Sequence, residues 1–227
     1  SWGSDINGRS CLGNLVRRLL REVPDLPRLR LSSLDPAEPD AELMDVLADE
    51  PRLMPHLHLS AQHGDDLILR RMKRRHLGRD IKRFCNEARR RRPDVAFGAD
   101  IIAGFPTESE VAHRQTMAMI KDAGISYLHV FPYSPRPSTP AADMPQLDRA
   151  VIKQRAGELR DLGKAQLHQH LEKVIGTTDR MLVESGNVGH GKNFAKIRLD
   201  QPFVPASTLV DVKIYRRDKD MLLAHAV

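Results

Sequence analysis

The segment GADIIAGFPTESE, residues 98–110, carries the strongest structural signal in this chain. Residues 95–102 are almost wholly apolar, which is typical of a parallel strand covered on both faces. Gly104 and Pro106 then end the strand, and residues 107–110 have the pattern of a helix N-terminus. Ligands bind at such carboxyl ends of strands in parallel α/β folds. The segment therefore predicts a fold class and the edge of the sheet where a site would lie.

Segments typical of strands and segments typical of helices alternate along residues 12–131. Short apolar segments that are typical of strands lie at residues 29–34, 56–61, 95–104 and 127–131. Amphipathic segments that are typical of helices lie at residues 12–22, 41–48, 67–76, 79–92 and 109–123. This order predicts an α/β fold with a parallel sheet and right-handed crossovers. Four strands do not close an eight-stranded barrel, so we expect a partial (βα) barrel.

The pattern changes after Pro145. A long helix is predicted from Asp148 to about Val174, with Gly176 as its stop. The remaining residues form short alternating segments, with turns predicted at 186–187, 189–191 and 217–220, which is typical of a small antiparallel β-barrel. The predicted domains are therefore the partial barrel, a connecting helix and the β-barrel, at residues 1–146, 147–175 and 176–227.

The composition is that of an ordinary globular protein. The 227 residues are 41% hydrophobic and 29% charged, which suffices for a sizeable core. The net charge of +6 fits a phosphate-rich partner such as nucleic acid, although many basic proteins are merely soluble. No apolar run approaches the roughly 20 residues that cross a bilayer, and there is no signal-peptide pattern. We expect a cytoplasmic monomer with no membrane partner.

The cysteines and histidines give no sign of a metal site. Cys11 and Cys85 are the only two cysteines, and their spacing fits neither a disulfide scaffold nor a zinc site. Cys85 lies on an apolar helix face and is predicted to be a core residue. Histidines 56, 58, 63, 76, 113 and 129 lack metal-like clustering. His58 and His129 could face a pocket, although core histidines are commoner.

Polar residues follow each of the four predicted strands. Any one of these turns could be polar for ordinary reasons, whereas four together predict a polar pocket above an apolar floor. Gln62 is the sharpest candidate, because an amide both donates and accepts hydrogen bonds. The basic segment 70–76 has the pattern of a solvated helix face. The strand-end residues are Ser32, Ser33, Asp35, Gln62, His63, Asp65, Asp100, Thr107, Tyr133, Ser134 and Arg136.

Five segments of the sequence occur in a recognisable order. They are RLSSLDP (30–36), HLHLSAQ (56–62), MKRRH (72–76), residues 98–108 and YLHVFPYSPRP (127–137). In sequence and spacing they resemble the radical S-adenosylmethionine methylthiotransferases. The first segment most resembles the branch that acts on threonylcarbamoyladenosine in tRNA. The resemblance covers residues 1 to about 175, and the terminal β-barrel resembles the family's TRAM domain.

This resemblance implies a six-stranded partial barrel that binds S-adenosylmethionine at its strand ends. In the family, a [4Fe–4S] cluster cleaves that cofactor to activate a C–H bond, and an auxiliary cluster supports sulfur insertion. Gln62 and Arg74 would hold the ribose and methionyl parts, and the strand of Asp100 and Gly104 would lie near the adenine. The full set of cofactor-binding residues that the resemblance implies is Ser32, Gln62, Arg74, Asp100, Gly104, Phe131 and Tyr133.

The chain departs from the family in its cysteines. The radical cluster needs CxxxCxxC and the auxiliary cluster needs three further cysteines, and this chain has neither set. Residues 1–5 resemble the segment that follows the cluster strand. We therefore expect the C-terminal part of a longer enzyme, with no metal ligands of its own and no radical activity alone. His63 stands where serine is usual, and His113 stands where phenylalanine is usual.

The leading hypothesis is part of an enzyme that converts N6-threonylcarbamoyladenosine at tRNA position 37 to its 2-methylthio derivative. Its partner would be the anticodon stem-loop. One alternative is a non-catalytic RNA-binding module with a degenerate barrel. A metal-independent enzyme that uses strand-end carboxylates is less favoured, because no acid–base pair is evident. Arg136 would also contact the RNA, although its loop could equally be a structural turn. Basic residues of the terminal barrel that would contact phosphate, or would only form solvated faces, are Lys192, Lys196, Arg198, Lys213, Arg216 and Arg217.

Overall fold

The computed structural model describes residues 12–37 and 39–227. The described chain forms two compact units, which divide between Gly163 and Lys164. The expectations for Cys11 and for residues 1–5 lie outside the described residues. The predicted division at residues 146 and 175 stays a prediction.

The first unit alternates helices and strands as the sequence predicts. Its helices are α1 (Leu12–Glu22), α2 (Ala41–Asp49), α3 (Asp66–Arg71), α4 (Gly78–Arg91), α5 (Glu110–Ala123) and the first part of α6 (Arg149–Val174). Its strands are β1 (Ser33–Leu34), β2 (His56–Gln62), β3 (Ala96–Ala103) and β4 (Ile125–Pro132). The four strands are parallel and lie in the order β1-β2-β3-β4. The predicted α/β class with a parallel sheet is confirmed.

Two details of the prediction are wrong. The first strand covers only Ser33–Leu34, and Leu29 instead forms an isolated bridge with Leu53. Helix α3 ends at Arg71, because Lys73 takes a left-handed φ of 55°. The described part of the chain holds four strands of the sheet, which is the number predicted for it.

One face of the sheet carries the core of this unit. Leu57 and Leu59 of β2 and Phe97, Ala99 and Ile101 of β3 are fully or almost fully buried there. They belong to one apolar cluster with residues of α2, α4 and α5. Cys85 is in this cluster, which confirms its predicted core position. Burial raises the pKa of its thiol to about 12, so the thiol is inert at neutral pH.

Side-chain caps fix where the helices begin. Asp40 accepts a hydrogen bond from the backbone N–H of Leu43, at 2.7 Å, and so caps α2. Asp65 caps α3 and Ser109 caps α5 in the same way. Each cap contributes about 1 kcal/mol. The helix start that residues 107–110 predict is therefore confirmed, and Ser109 is its cap.

The second unit contains the rest of α6 and five strands. These are β5 (Thr178–Ser185), β6 (Val188–His190), β7 (Lys196–Leu199), β8 (Leu209–Asp218) and β9 (Met221–Ala226), which close a barrel in the order β5-β6-β7-β9-β8. The small barrel is confirmed, but β7 and β9 pair in parallel, so it is not purely antiparallel. The turn predicted at 189–191 is wrong, because Val188–His190 pairs with Lys196–Arg198.

Among the described residues, no helix is both long enough and apolar enough to span a membrane.

Candidate functional site

The face of the sheet opposite the core is largely polar. Successive side chains of a strand alternate between faces, so the residues between the core positions share this second face. In the sheet register, Asp100 lies beside His129 and Ile102 lies beside Phe131. Ser33 Oγ lies 2.7 Å from Ser60 Oγ and links β1 to β2. The residues of this face on β2, β3 and β4 are His56, His58, Ser60, Gln62, Gly98, Asp100, Ile102, Tyr127, His129 and Phe131.

Two histidines meet an aspartate at the centre of this face. His58 Nε2 lies 2.9 Å from Asp100 Oδ1, and His129 Nδ1 lies 3.3 Å from the same oxygen. Gly98 makes room for the His58 ring, since a Cβ there would lie 2.5 Å from His58 Nδ1. One ligand atom from each residue lies within 4.8 Å of the others, so the three could hold a divalent metal ion. The prediction that the histidines do not cluster is wrong.

A cavity of about 400 Å³ opens beside the carboxyl ends of β2 and β3. Its lining includes Gln62, the apolar residues Ile102 and Phe105, and three basic residues, Arg71, Lys73 and Arg74. Gln62 takes a left-handed φ of 66° where β2 ends. Within the part of the chain that the structure describes, Arg74 forms no ion pair. The cavity is thus lined by basic, amide and apolar side chains, and Arg74 is one of its cations without an ion pair among the described residues.

A buried polar cluster supports the turn between β3 and α5. The Glu108 carboxylate is buried and accepts a hydrogen bond from the backbone N–H of Gly104, whose φ is 76°. His63 Nε2 and His113 Nδ1 each lie 3.4 Å from Glu108 Oε1, and Arg155 Nη1 lies 3.5 Å from Oε2. Arg155 also donates to the backbone carbonyl of Glu108 at 2.8 Å. The cluster therefore fixes the turn that ends β3.

The two unusual histidines are thus paired rather than isolated. His113 Nε2 lies 2.7 Å from Glu158 Oε2 on α6, and His63 lies within 3.2 Å of the Thr116 hydroxyl. Burial raises the pKa of Glu108, but interactions with His113, His63 and Arg155 outweigh it and lower the pKa to about 2. Burial lowers the pKa of His113, whereas Glu108 and Glu158 raise it, with a net increase. Sequence reasoning missed this cluster.

The second unit carries basic side chains on the outside of its barrel. Lys196 and Arg198 are exposed on β7, and Arg216 is exposed on β8. In the register, Leu223 of β9 lies between Arg198 and Arg216. Lys213 is half-buried, and the backbone N–H of Lys192 contacts Asp179. Arg217 is a poor phosphate ligand, because it pairs with Glu172 at 2.6 Å.

Over 201 residues, the chain is 47% identical to the threonylcarbamoyladenosine tRNA methylthiotransferase MtaB of Rickettsia prowazekii, a match that covers 88% of this chain and 48% of that protein. It is 35% identical over 220 residues to a tRNA-2-methylthio-N(6)-dimethylallyladenosine synthase of Shewanella frigidimarina, which covers 93% and 46%. The chain belongs to the tRNA methylthiotransferase family. The resemblance seen in the sequence is therefore confirmed.

This member of the tRNA methylthiotransferases spans about half the length of the curated relatives that it matches. No protein-family model matches it. Among solved structures, coproporphyrinogen III oxidase from Escherichia coli, a radical SAM enzyme, matches with a TM-score of 0.50 and 19% identity, over 70% of this chain and 37% of that one. That likeness concerns the fold alone.

The structure brings some of the predicted cofactor residues of this chain together and separates others. Gln62 and Arg74 line one cavity, and Asp100 and Phe131 share the polar face. Ser32 is exposed before β1, and Gly104 packs against Ile152 of α6. Tyr133 lines a different cavity from Gln62 and Arg74, and Arg136 is exposed in the loop beyond it. The residue roles stay predictions.

The residues present fit one family cofactor and not the other. S-adenosylmethionine carries a carboxylate, ribose hydroxyls and an adenine, which match the guanidinium, amide and apolar surface of the 400 Å³ cavity. A [4Fe–4S] cluster needs thiolate ligands, and the chain has two cysteines in all. The one that is described, Cys85, lies in the core. The chain therefore does not fit an iron–sulfur cluster.

His113→Phe should make stability less dependent on pH. Because the folded-state pKa of His113 is raised, its pairing stabilises the fold fully below the unfolded value of about 6.5 and is lost as pH rises through the folded value. We expect the variant to lose about 2 kcal/mol of unfolding free energy at pH 6 and less at pH 8, as measured by urea denaturation. Equal losses at both pH values would show that His113 acts only through packing.

Proposed function

We propose that this chain provides cofactor-binding and tRNA-binding parts of a tRNA methylthiotransferase that modifies N6-threonylcarbamoyladenosine at position 37. The observation that carries the proposal is the cavity beside Gln62 and Arg74, at the strand ends of a chain in this family. The choice of nucleoside is supported by the 47% identity to MtaB, against 34% and 35% for two dimethylallyladenosine synthases.

In this proposal, the cavity binds S-adenosylmethionine, which supplies a methyl group when bound. Arg74 binds the carboxylate of the methionyl part, because its guanidinium has no ion pair among the described residues. Gln62 binds the ribose hydroxyls through its amide. Asp100 and Phe131, on the polar face nearby, lie on the adenine side. The network around Glu108 positions the turn after β3 but does not touch the cofactor.

The outer face of the small barrel binds the tRNA. Lys196 and Arg198 are exposed on β7, and Arg216 is exposed on β8. These two strands flank β9, and such cations bind phosphates. Tyr215, which is 39% exposed, stacks on His225 at 5.8 Å and adds a surface on which a base can stack.

We identify this barrel as the family's TRAM domain. Because the cysteine sets are absent, we propose that the chain alone does not carry out the radical step.

Binding measurements on this chain test the proposal. We expect an anticodon stem-loop of tRNA to bind, with affinity that falls steeply between roughly 50 and 200 mM salt, and S-adenosylmethionine to bind in calorimetry. Binding of tRNA without S-adenosylmethionine would favour the alternative, a non-catalytic RNA-binding module. Absence of both would overturn the proposal. A stem-loop of matched length and unrelated sequence measures the non-specific part of the affinity.

A further inference from the structure

The first unit contains a second cavity, which has a different lining from the cavity beside Gln62 and Arg74. It has a volume of about 530 Å³ and lies between the loop that follows β4 and the first part of α6. Pro132 at the end of β4 and the loop residues Tyr133 to Pro135 line one side, and Ile152 and the buried Ala156 of α6 line the other. No residue lines both this cavity and the one beside Gln62 and Arg74.

Three cations surround this second cavity. Arg149, Lys153 and Arg160 line it, and their spacing along α6 places them on one face of the helix. All three are exposed, and none forms an ion pair within residues 12–37 and 39–227. No acidic side chain is among the described lining residues. The cavity therefore combines an apolar floor with an uncompensated positive rim.

An aromatic residue forms part of the wall of this cavity. Tyr133 lines the cavity, and its ring meets Phe105 edge-to-face at 5.4 Å. Its backbone N–H donates to the carbonyl of Ala103 at 2.8 Å, which ties the loop to the end of β3. The Tyr133 hydroxyl is closed to solvent, so it is not available to a ligand in the cavity.

We propose that this cavity binds the sugar–phosphate backbone of the tRNA, with its phosphates at Arg149, Lys153 and Arg160. This inference rests on the proposed function and assigns a second surface of the chain to the same partner. The three cations extend over roughly 16 Å of helix, which exceeds one phosphate group and fits an extended polyanion. The apolar floor, which includes Ile152 and Ala156, accommodates a ribose.

The test compares two double variants of this chain. Lys153→Ala with Arg160→Ala removes two cations of the cavity, whereas Arg70→Ala with Lys121→Ala removes two exposed cations that do not line it. We expect the first pair to lower affinity for the anticodon stem-loop about tenfold near 150 mM salt. We expect the slope of log affinity against log salt concentration to become shallower by about 0.7–0.9 for each lost phosphate contact. The control pair should leave both quantities near the wild-type values.

The outcomes separate this inference from the proposed function. If the wild type binds tRNA and both double variants keep its salt dependence, the cavity assignment is wrong and the proposed function stands. If the wild type does not bind tRNA, both are wrong. A competition with inorganic phosphate tests whether the cavity is a site for a small anion. Displacement of tRNA from the wild type by about 1 mM phosphate would overturn the assignment to a polyanion. Circular dichroism melts confirm that each variant is folded.

Discussion

Glu108→Gln should lower the free energy of unfolding by about 3–5 kcal/mol. The substitution removes the buried charge that faces three buried cationic or polar partners, His63, His113 and Arg155. Their exposed fractions are 0%, 1% and 7%, so solvent cannot replace the carboxylate. Urea denaturation at pH 7 measures the loss. It should exceed that of His113→Phe, because Glu108 is the common partner of all three groups.

Asp122→Asn is the matched control for this substitution. Asp122 lies on α5 outside the cluster, its side chain is 57% exposed, and it pairs with Lys82, so its loss should cost less than about 1 kcal/mol. The low pKa of Glu108, about 2, means that its charge stabilises the fold above about pH 4.5 and that this contribution is lost as pH falls towards 2. The difference between wild type and Glu108→Gln should therefore shrink below about pH 4.5, and also as pH rises through the folded-state pKa of His113, where the His113 pairing is lost. Equal effects of the two substitutions would contradict the assigned network.

The fold of the first unit was predictable because its signals are local. The apolar run of residues 95–102 becomes β3, and a capped helix follows it, since each depends on neighbours in sequence. The errors fall where tertiary contacts decide. Residues 29–34 are apolar enough for a strand, but only Ser33 and Leu34 pair with β2. Residues 188–190 resemble a turn because of Gly189, yet pairing to both β5 and β7 makes them a strand.

The polar sites were less predictable, because they depend on strand register and on helix packing. His58 and Asp100 are 42 residues apart, and only the parallel pairing of β2 with β3 and of β3 with β4 brings them to His129. Likewise, Glu108 meets His63 and His113 through the packing of α5. One signal was available: both histidines depart from the residues usual in the family, and two such departures indicate a shared partner. Arg74 was identified through the family resemblance, because segment 70–76 otherwise resembles a solvated helix face.

Arg74→Ala should weaken the binding of S-adenosylmethionine to this chain roughly 10- to 100-fold. A hydrogen-bonded pair of guanidinium and carboxylate in a partly buried site contributes about 1.5–3 kcal/mol, and every 1.4 kcal/mol corresponds to a tenfold change in affinity. Arg74 lines the 400 Å³ cavity and has no competing ion pair within the described chain. Its whole interaction is therefore available to the ligand. Isothermal calorimetry measures the change.

Two further variants decide whether the effect is specific. Arg70→Ala removes an exposed arginine of α3 that does not line the cavity, so its affinity should equal that of the wild type. Arg74→Lys keeps the positive charge but loses the planar fork, so its affinity should lie between those of wild type and Arg74→Ala. If Arg70→Ala and Arg74→Ala weaken binding equally, the effect is one of net charge, and the carboxylate of the cofactor is bound elsewhere. If Arg74→Lys binds no better than Arg74→Ala, the two-pronged geometry of the guanidinium accounts for the whole effect.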